Sequence, residues 1–126
     1  MNRTKSLLLG AAASGLLVFA GFGDALAQDP AVVNAKTIRV KLENGRVRVF
    51  EAVLKPDERE QLHSHPAYVV HVIAGGRIRS YGTDGKTTEY ELVTGDTLYR
   101  DPITHWAENI GSTTIHLVVV ELKEAT

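Results

Sequence analysis

Short β-strand signals recur every eight to twelve residues between Lys36 and Leu122, each closed by turn residues, and no stretch holds a helical period. Thr37, Arg39 and Lys41 alternate with Ile38, Val40 and Leu42, the period-two pattern of a half-buried strand. Asn44-Gly45 follows, a strong short hairpin signal, and Val47 to Leu54 reads as the return strand. Gln61 to His65, Tyr68 to Ile73, Arg77 to Tyr81 and Thr87 to Val93 continue the series, with Gly75-Gly76 and Thr83-Asp84-Gly85 as breaks. Thr97 to Arg100, His105 to Asn109 and Thr113 to Leu122 complete it. Many short strands without crossover helices pack as an antiparallel sandwich or a small barrel, so the expected class is all-β.

The first residues read differently. Arg3 and Lys5 precede an apolar stretch from Leu7 to Phe22, and Ala25-Leu26-Ala27 supplies an A-x-A cleavage signal. The expected organisation is a cleaved signal peptide over 1–27, a linker over 28–35 and one domain over 36–126. A secreted or periplasmic protein is expected, with no membrane attachment after cleavage. Cleavage leaves 12 basic against 14 acidic residues, a balance with no electrostatic footprint for nucleic acid. The absence of cysteine excludes disulfides and thiolate metal sites. Exposed apolar sheet surface makes a homodimer the expected assembly.

The chemistry is concentrated in the histidines. His63 and His65 stand at i and i+2, which puts both imidazoles on one face of a strand. His105, in the run His105-Trp106-Ala107-Glu108-Asn109, offers a third nitrogen from a distant segment. Three imidazoles make a metal site with room for an outside ligand. No nucleophile elbow, phosphate-binding loop or dinucleotide fingerprint is present, so hydrolase and nucleotide-binding readings lack support.

These two segments resemble the paired motifs of the cupin family, G-x5-H-x-H-x3/4-E-x6-G and G-x5-P-x-G-x2-H-x3-N. The first runs from His63-Ser64-His65 to Gly75-Gly76, and the second from Gly95-Asp96 to His105 and Asn109. The resemblance covers about residues 36–122 and implies a single antiparallel jelly-roll β-barrel. The chain is also similar to a small cupin linked to β-alanine degradation. Asp57 stands where the first motif has Gly, and the second motif lacks its internal Gly and has Pro102 displaced by one. The metal-binding Glu is missing, its place falling on Tyr68 or Val69 according to how the gap after His65 is set.

By resemblance the ligands are His63, His65 and His105. A strict parity count makes His71 a candidate fourth ligand, whereas placing Tyr68 at the Glu position turns His71 to the other face. Without the carboxylate a dication on three neutral imidazoles keeps its full +2 charge, which favours anionic ligands. The resemblance implies iron(II) first, with zinc, manganese and nickel behind it. Gln61, Tyr68 and Trp106 are candidates for the substrate pocket. Asn109 reads as a backbone-fixing hydrogen-bonder. The expected function is a metal-binding cupin, a dioxygenase-like oxidoreductase acting on a small organic molecule. Isomerase or lyase chemistry is the alternative at the same site, and a non-catalytic metal or small-ligand binding module is the alternative class.

Overall fold

We describe a computed structural model of the chain, covering residues 28–124. Residues 1–27, read as a signal peptide, lie outside the described residues. The strands are β1 (Ile38–Glu43), β2 (Val47–Leu54), β3 (His63–His65), β4 (Tyr68–Ala74), β5 (Gly76–Gly82), β6 (Thr87–Leu92), β7 (Thr97–Arg100), β8 (Ile103–Asn109) and β9 (Ile115–Leu122). They form two antiparallel sheets, one in the order β1-β2-β9-β4-β7 and one in the order β3-β8-β5-β6.

Turn chemistry sets these strands. Asn44 Oδ1 accepts from the amides of Arg46 and Val47 at 2.8 and 3.0 Å, which reverses the chain between β1 and β2. Asp84 Oδ1 does the same for Lys86, beside Gly85 at φ 83°. Asp57 has φ 71°, so the residue standing where the cupin motif has Gly adopts the left-handed conformation for which Gly is normally required.

The inward faces of the two sheets supply the core. Along β4, Tyr68, Val70 and Val72 are buried while His71 and Ile73 are exposed, the alternation of a strand with one face on the core. Phe50, Val72 and Ile115 are almost wholly enclosed. Truncating Phe50 to Ala would remove packing worth about 3–5 kcal/mol. Asn109 has no exposed surface and ties three backbone segments together. Its Nδ2 donates to the carbonyls of Leu54 and Thr113, and its Oδ1 accepts from the Gly111 amide.

The segment 28–35 differs from the expected linker. Pro30–Val33 forms one helical turn, α1, with Asp29 as its N-cap accepting from Ala31 at 2.9 Å and Pro30 in the first turn. Four residues are too few to show a helical period, so only the cap signature was there to be read. The segment is bonded to β3, because the Ser64 amide and hydroxyl both donate to Gln28 at 2.7 Å.

Candidate metal centre

β3 and β8 pair so that His63 lies directly opposite His105. This register closes a gap of about forty residues, and alternation puts His65 on the same face as His63. All three rings are buried, with centroids 4.7, 4.8 and 5.4 Å apart. One nitrogen from each lies within 4.8 Å of the other two.

The outer nitrogens are already engaged. His63 Nδ1 lies 2.7 Å from the Gln61 carbonyl, which can only accept, so this nitrogen carries the hydrogen and Nε2 keeps its lone pair. His65 Nδ1 lies 2.7 Å from Glu121 Oε2, with the same consequence. His105 Nδ1 is 2.9 Å from Ser80 Oγ. Outer partners that fix tautomer and ring orientation are the usual support of metal-bound histidines. Burial holds the His63 imidazolium pKa down to about 4, and burial with the neighbouring His63 and His65 holds that of His105 at about 3. Both rings are neutral at pH 7 and able to donate a lone pair.

The donor set fits a first-row divalent ion. Three buried imidazole nitrogens gathered within 4.8 Å are the kind of donors such an ion takes. Imidazole nitrogen suits iron, zinc and nickel and does not choose among them.

The rings face a cavity of about 70 Å³ between the sheets. Tyr68 lines it, stacked on His65 at 4.4 Å, so of the two positions that could stand for the motif's Glu it is Tyr68, a phenol, that faces inward. Burial pushes the Tyr68 hydroxyl pKa well above its ordinary value, which keeps it neutral. His71, the candidate fourth ligand, lies outside this cluster. Pro66 separates β3 from β4 and restarts the parity count, so His71 is exposed and its Nδ1 lies 2.8 Å from Thr97 Oγ1.

Two pocket candidates also lie elsewhere. Gln61 precedes β3, so strand alternation does not extend to it. Its side chain is exposed and it serves the site through its carbonyl. Trp106 follows the inward His105 and must face the other way. It stacks on Tyr81 at 3.7 Å, with the Arg59 guanidinium 4.8 Å from its ring centre.

Other residues enter the site without having been expected. Glu60 lines the cavity, with Oε1 3.7 Å from His63 Nε2, and burial raises its carboxyl pKa to about 7. Nothing in the loop before His63 signals this. Glu121 is 3% exposed in a strand otherwise rich in Val and Leu, and a charge on the inward face of an apolar strand was a readable sign. Arg48 holds Glu121 through two bonds of 3.0 and 2.8 Å and reaches Asp29 at 2.9 Å. Arg100 reads in the sequence as a residue able to reach a cavity, with exposed charge as the default, and it lines the cavity from β7.

No family model matches the chain, and no curated protein does. Solved structures do. A cupin domain from Bordetella pertussis is 26% identical, with a TM-score of 0.63 over 69% of this chain and 92% of that one. An RmlC-like cupin with a double-stranded β-helix fold from Methanocaldococcus jannaschii is 21% identical, with a TM-score of 0.55 over 71% and 84%. A protein described as a predicted oxalate decarboxylase, from Thermotoga maritima, is 19% identical, with a TM-score of 0.52 over 69% and 79%. With its two antiparallel sheets and its inward-facing histidines on paired strands, the chain has the double-stranded β-helix fold of the cupins.

Proposed function

We propose that this protein holds a divalent metal ion through His63, His65 and His105 and acts as a dioxygenase-like oxidoreductase on a small organic molecule. The observation that carries the metal reading is the convergence of three buried imidazoles within 4.8 Å, with their outer nitrogens already bonded. Iron(II) is the first choice of ion, with zinc, manganese and nickel behind it. Such an ion supplies Lewis acidity and open coordination positions, and iron adds redox capacity.

The chain's own groups do the rest. Apolar side chains make much of the cavity wall, Tyr68 packs against His65, and Glu60 places a carboxylate beside the nitrogen face of His63. A carboxylate facing the same space as the imidazoles supports an enzyme over a passive binding module, because it can accept or return a substrate proton.

The test has two stages. Untagged protein is analysed for metal beside His63→Ala, and one equivalent present in the first and absent in the second is expected. Oxygen uptake by the iron-loaded protein is then followed across small acids and thiols. Metal-free wild type overturns the metal reading. Silence of a fully loaded protein across the panel overturns the oxygenase reading and leaves a binding module.

A further inference from the structure

We propose that the cavity takes a small carboxylate, whose anionic group is held by Arg100. The inference rests on the metal reading above and names the substrate class of that site.

Arg100 lies on the inward face of β7, directly opposite Tyr68 of β4. Its guanidinium carbon sits 5.2 Å from the centre of the Tyr90 ring, which lines the same cavity. An arginine lying over an aromatic face keeps its in-plane N–H donors available for a planar acceptor, and carboxylate is the group that matches them in pairs. Those donors lack a carboxylate partner among the described residues. Of the half-buried arginines, Arg48 is matched by Glu121 and Asp29 and Arg79 by Glu89, whereas no ion pair within 4.0 Å involves Arg100. A partly buried guanidinium without a counter-charge is costly, and an incoming anion relieves that cost.

The charge of the site points the same way. A dication on neutral imidazoles, together with Arg100, faces at most one carboxylate, Glu60, in this cavity. The sum stays positive whether or not Glu60 is ionised, so an anion is favoured over a neutral or cationic molecule. Size and lining define the rest of the ligand. A volume of about 70 Å³ holds roughly five water-sized positions. Val70, Leu98 and Ile78 make much of the wall apolar. A carboxylate with a short carbon chain fits this space and its apolar wall.

The test uses zinc-loaded protein, propionate as the probe and propionamide as its neutral analogue, with binding read by calorimetry. Zinc titration into wild type, Arg100→Met and Arg100→Lys comes first, so that propionate binding is compared at full zinc occupancy in all three. Propionate then binds wild type and propionamide does not. Arg100→Met weakens propionate about ten- to a hundredfold, the loss of a charge-assisted hydrogen bond, and Arg100→Lys falls between. Propionate binding Arg100→Met as tightly as wild type overturns the proposal, because the ion alone then holds the anion. Equal binding of propionamide overturns it, as does chloride or phosphate displacing propionate at equal concentration. A zinc-loaded wild type that ignores propionate overturns the carboxylate proposal and leaves the metal reading standing. A wild type that takes up no zinc removes the metal reading and this proposal with it.

Discussion

Glu121 grips His65 from behind the candidate metal centre, with Oε2 2.7 Å from Nδ1, while Oε1 accepts two bonds from Arg48. Asp29 bonds the far side of Arg48 at 2.9 Å, so a part-buried charge chain runs from α1 to His65. Each charge in it has an opposite neighbour, the condition under which burying ions is tolerable. The carboxylate also makes His65 a better donor and fixes which nitrogen faces the cavity. Glu121→Gln keeps the shape and removes the charge, and it is expected to weaken metal binding about 10- to 100-fold. Competition of zinc against a chelating dye measures this. A variant that loses stability but binds zinc as wild type does would show that Glu121 serves only Arg48.

The metal-free protein has a pH dependence that follows from three buried groups. Unfolded, the two imidazoles take up protons as pH falls through 6.5, whereas folded His63 waits until about 4 and His105 until about 3. Their contribution to stability is complete above pH 6.5 and drains as pH drops below it. Glu60 acts in the opposite sense. Unfolded it loses its proton near 4.5 and folded near 7, so stability falls as pH rises through that window. Between pH 4.5 and 6.5 two protons oppose one, a net loss of about 1.4 kcal/mol per pH unit on acidification. Urea midpoints of chelator-treated protein should peak near pH 6.5 and decline on both sides. Glu60→Gln should flatten the alkaline side and steepen the acid side. A wild-type profile flat below pH 6.5 would mean that the rings protonate without unfolding.

Asp57 takes a backbone conformation that suits glycine, at φ 71°. Left-handed geometry costs an L-residue about 1–2 kcal/mol, less for Asp than for a β-branched side chain. Asp57→Gly is expected to raise stability by up to about 1 kcal/mol, and Asp57→Val to lower it by more than that. Equilibrium urea unfolding reads both. Equal stability of the two variants would show that the turn relaxes instead of storing strain.

The same position shows how far the sequence was legible. Strand alternation and turn residues carried the all-β fold, because a period of two and Asn-Gly or Asp-Gly turns are local signals. The three histidines were visible because His63-x-His65 needs only alternation and His105 sits in a spaced motif. What local signals could not carry was the count across a break. His71 shares parity with His65 on paper, yet Pro66 ends β3 and Tyr68 takes the inward slot of β4. Glu60 enters the cavity from a loop, where nothing near it in sequence marks it. Arg100 reads as a charge able to reach a cavity but more simply exposed, and only its place on the Leu98 face of β7 turns it inward. Asp57 in place of Gly reads as a departure from the motif, but its backbone takes the left-handed conformation that glycine favours.

Asn34 makes the last case, because it joins the segment expected as a linker to the metal centre. It is 6% exposed, its Oδ1 accepts from the Gln61 amide at 2.7 Å, and its Nδ2 donates to the Gln61 carbonyl at 3.3 Å. That carbonyl is the acceptor that sets the tautomer of His63, and the Asn34 amide lies 3.1 Å from the same ring nitrogen. Asn34→Ala strips both bonds from a part-buried peptide and leaves its amide without a protein partner, at a cost of about 1 kcal/mol. Because the freed peptide no longer holds its carbonyl against His63, zinc affinity should fall together with stability. Asn34→Asp keeps the acceptor for the Gln61 amide but turns the donor into an acceptor facing a carbonyl, so it should recover little. Urea unfolding and zinc competition on the three proteins decide the matter. If Asn34→Ala matches wild type in both, the segment 28–35 is an appendage and His63 is held by the barrel alone.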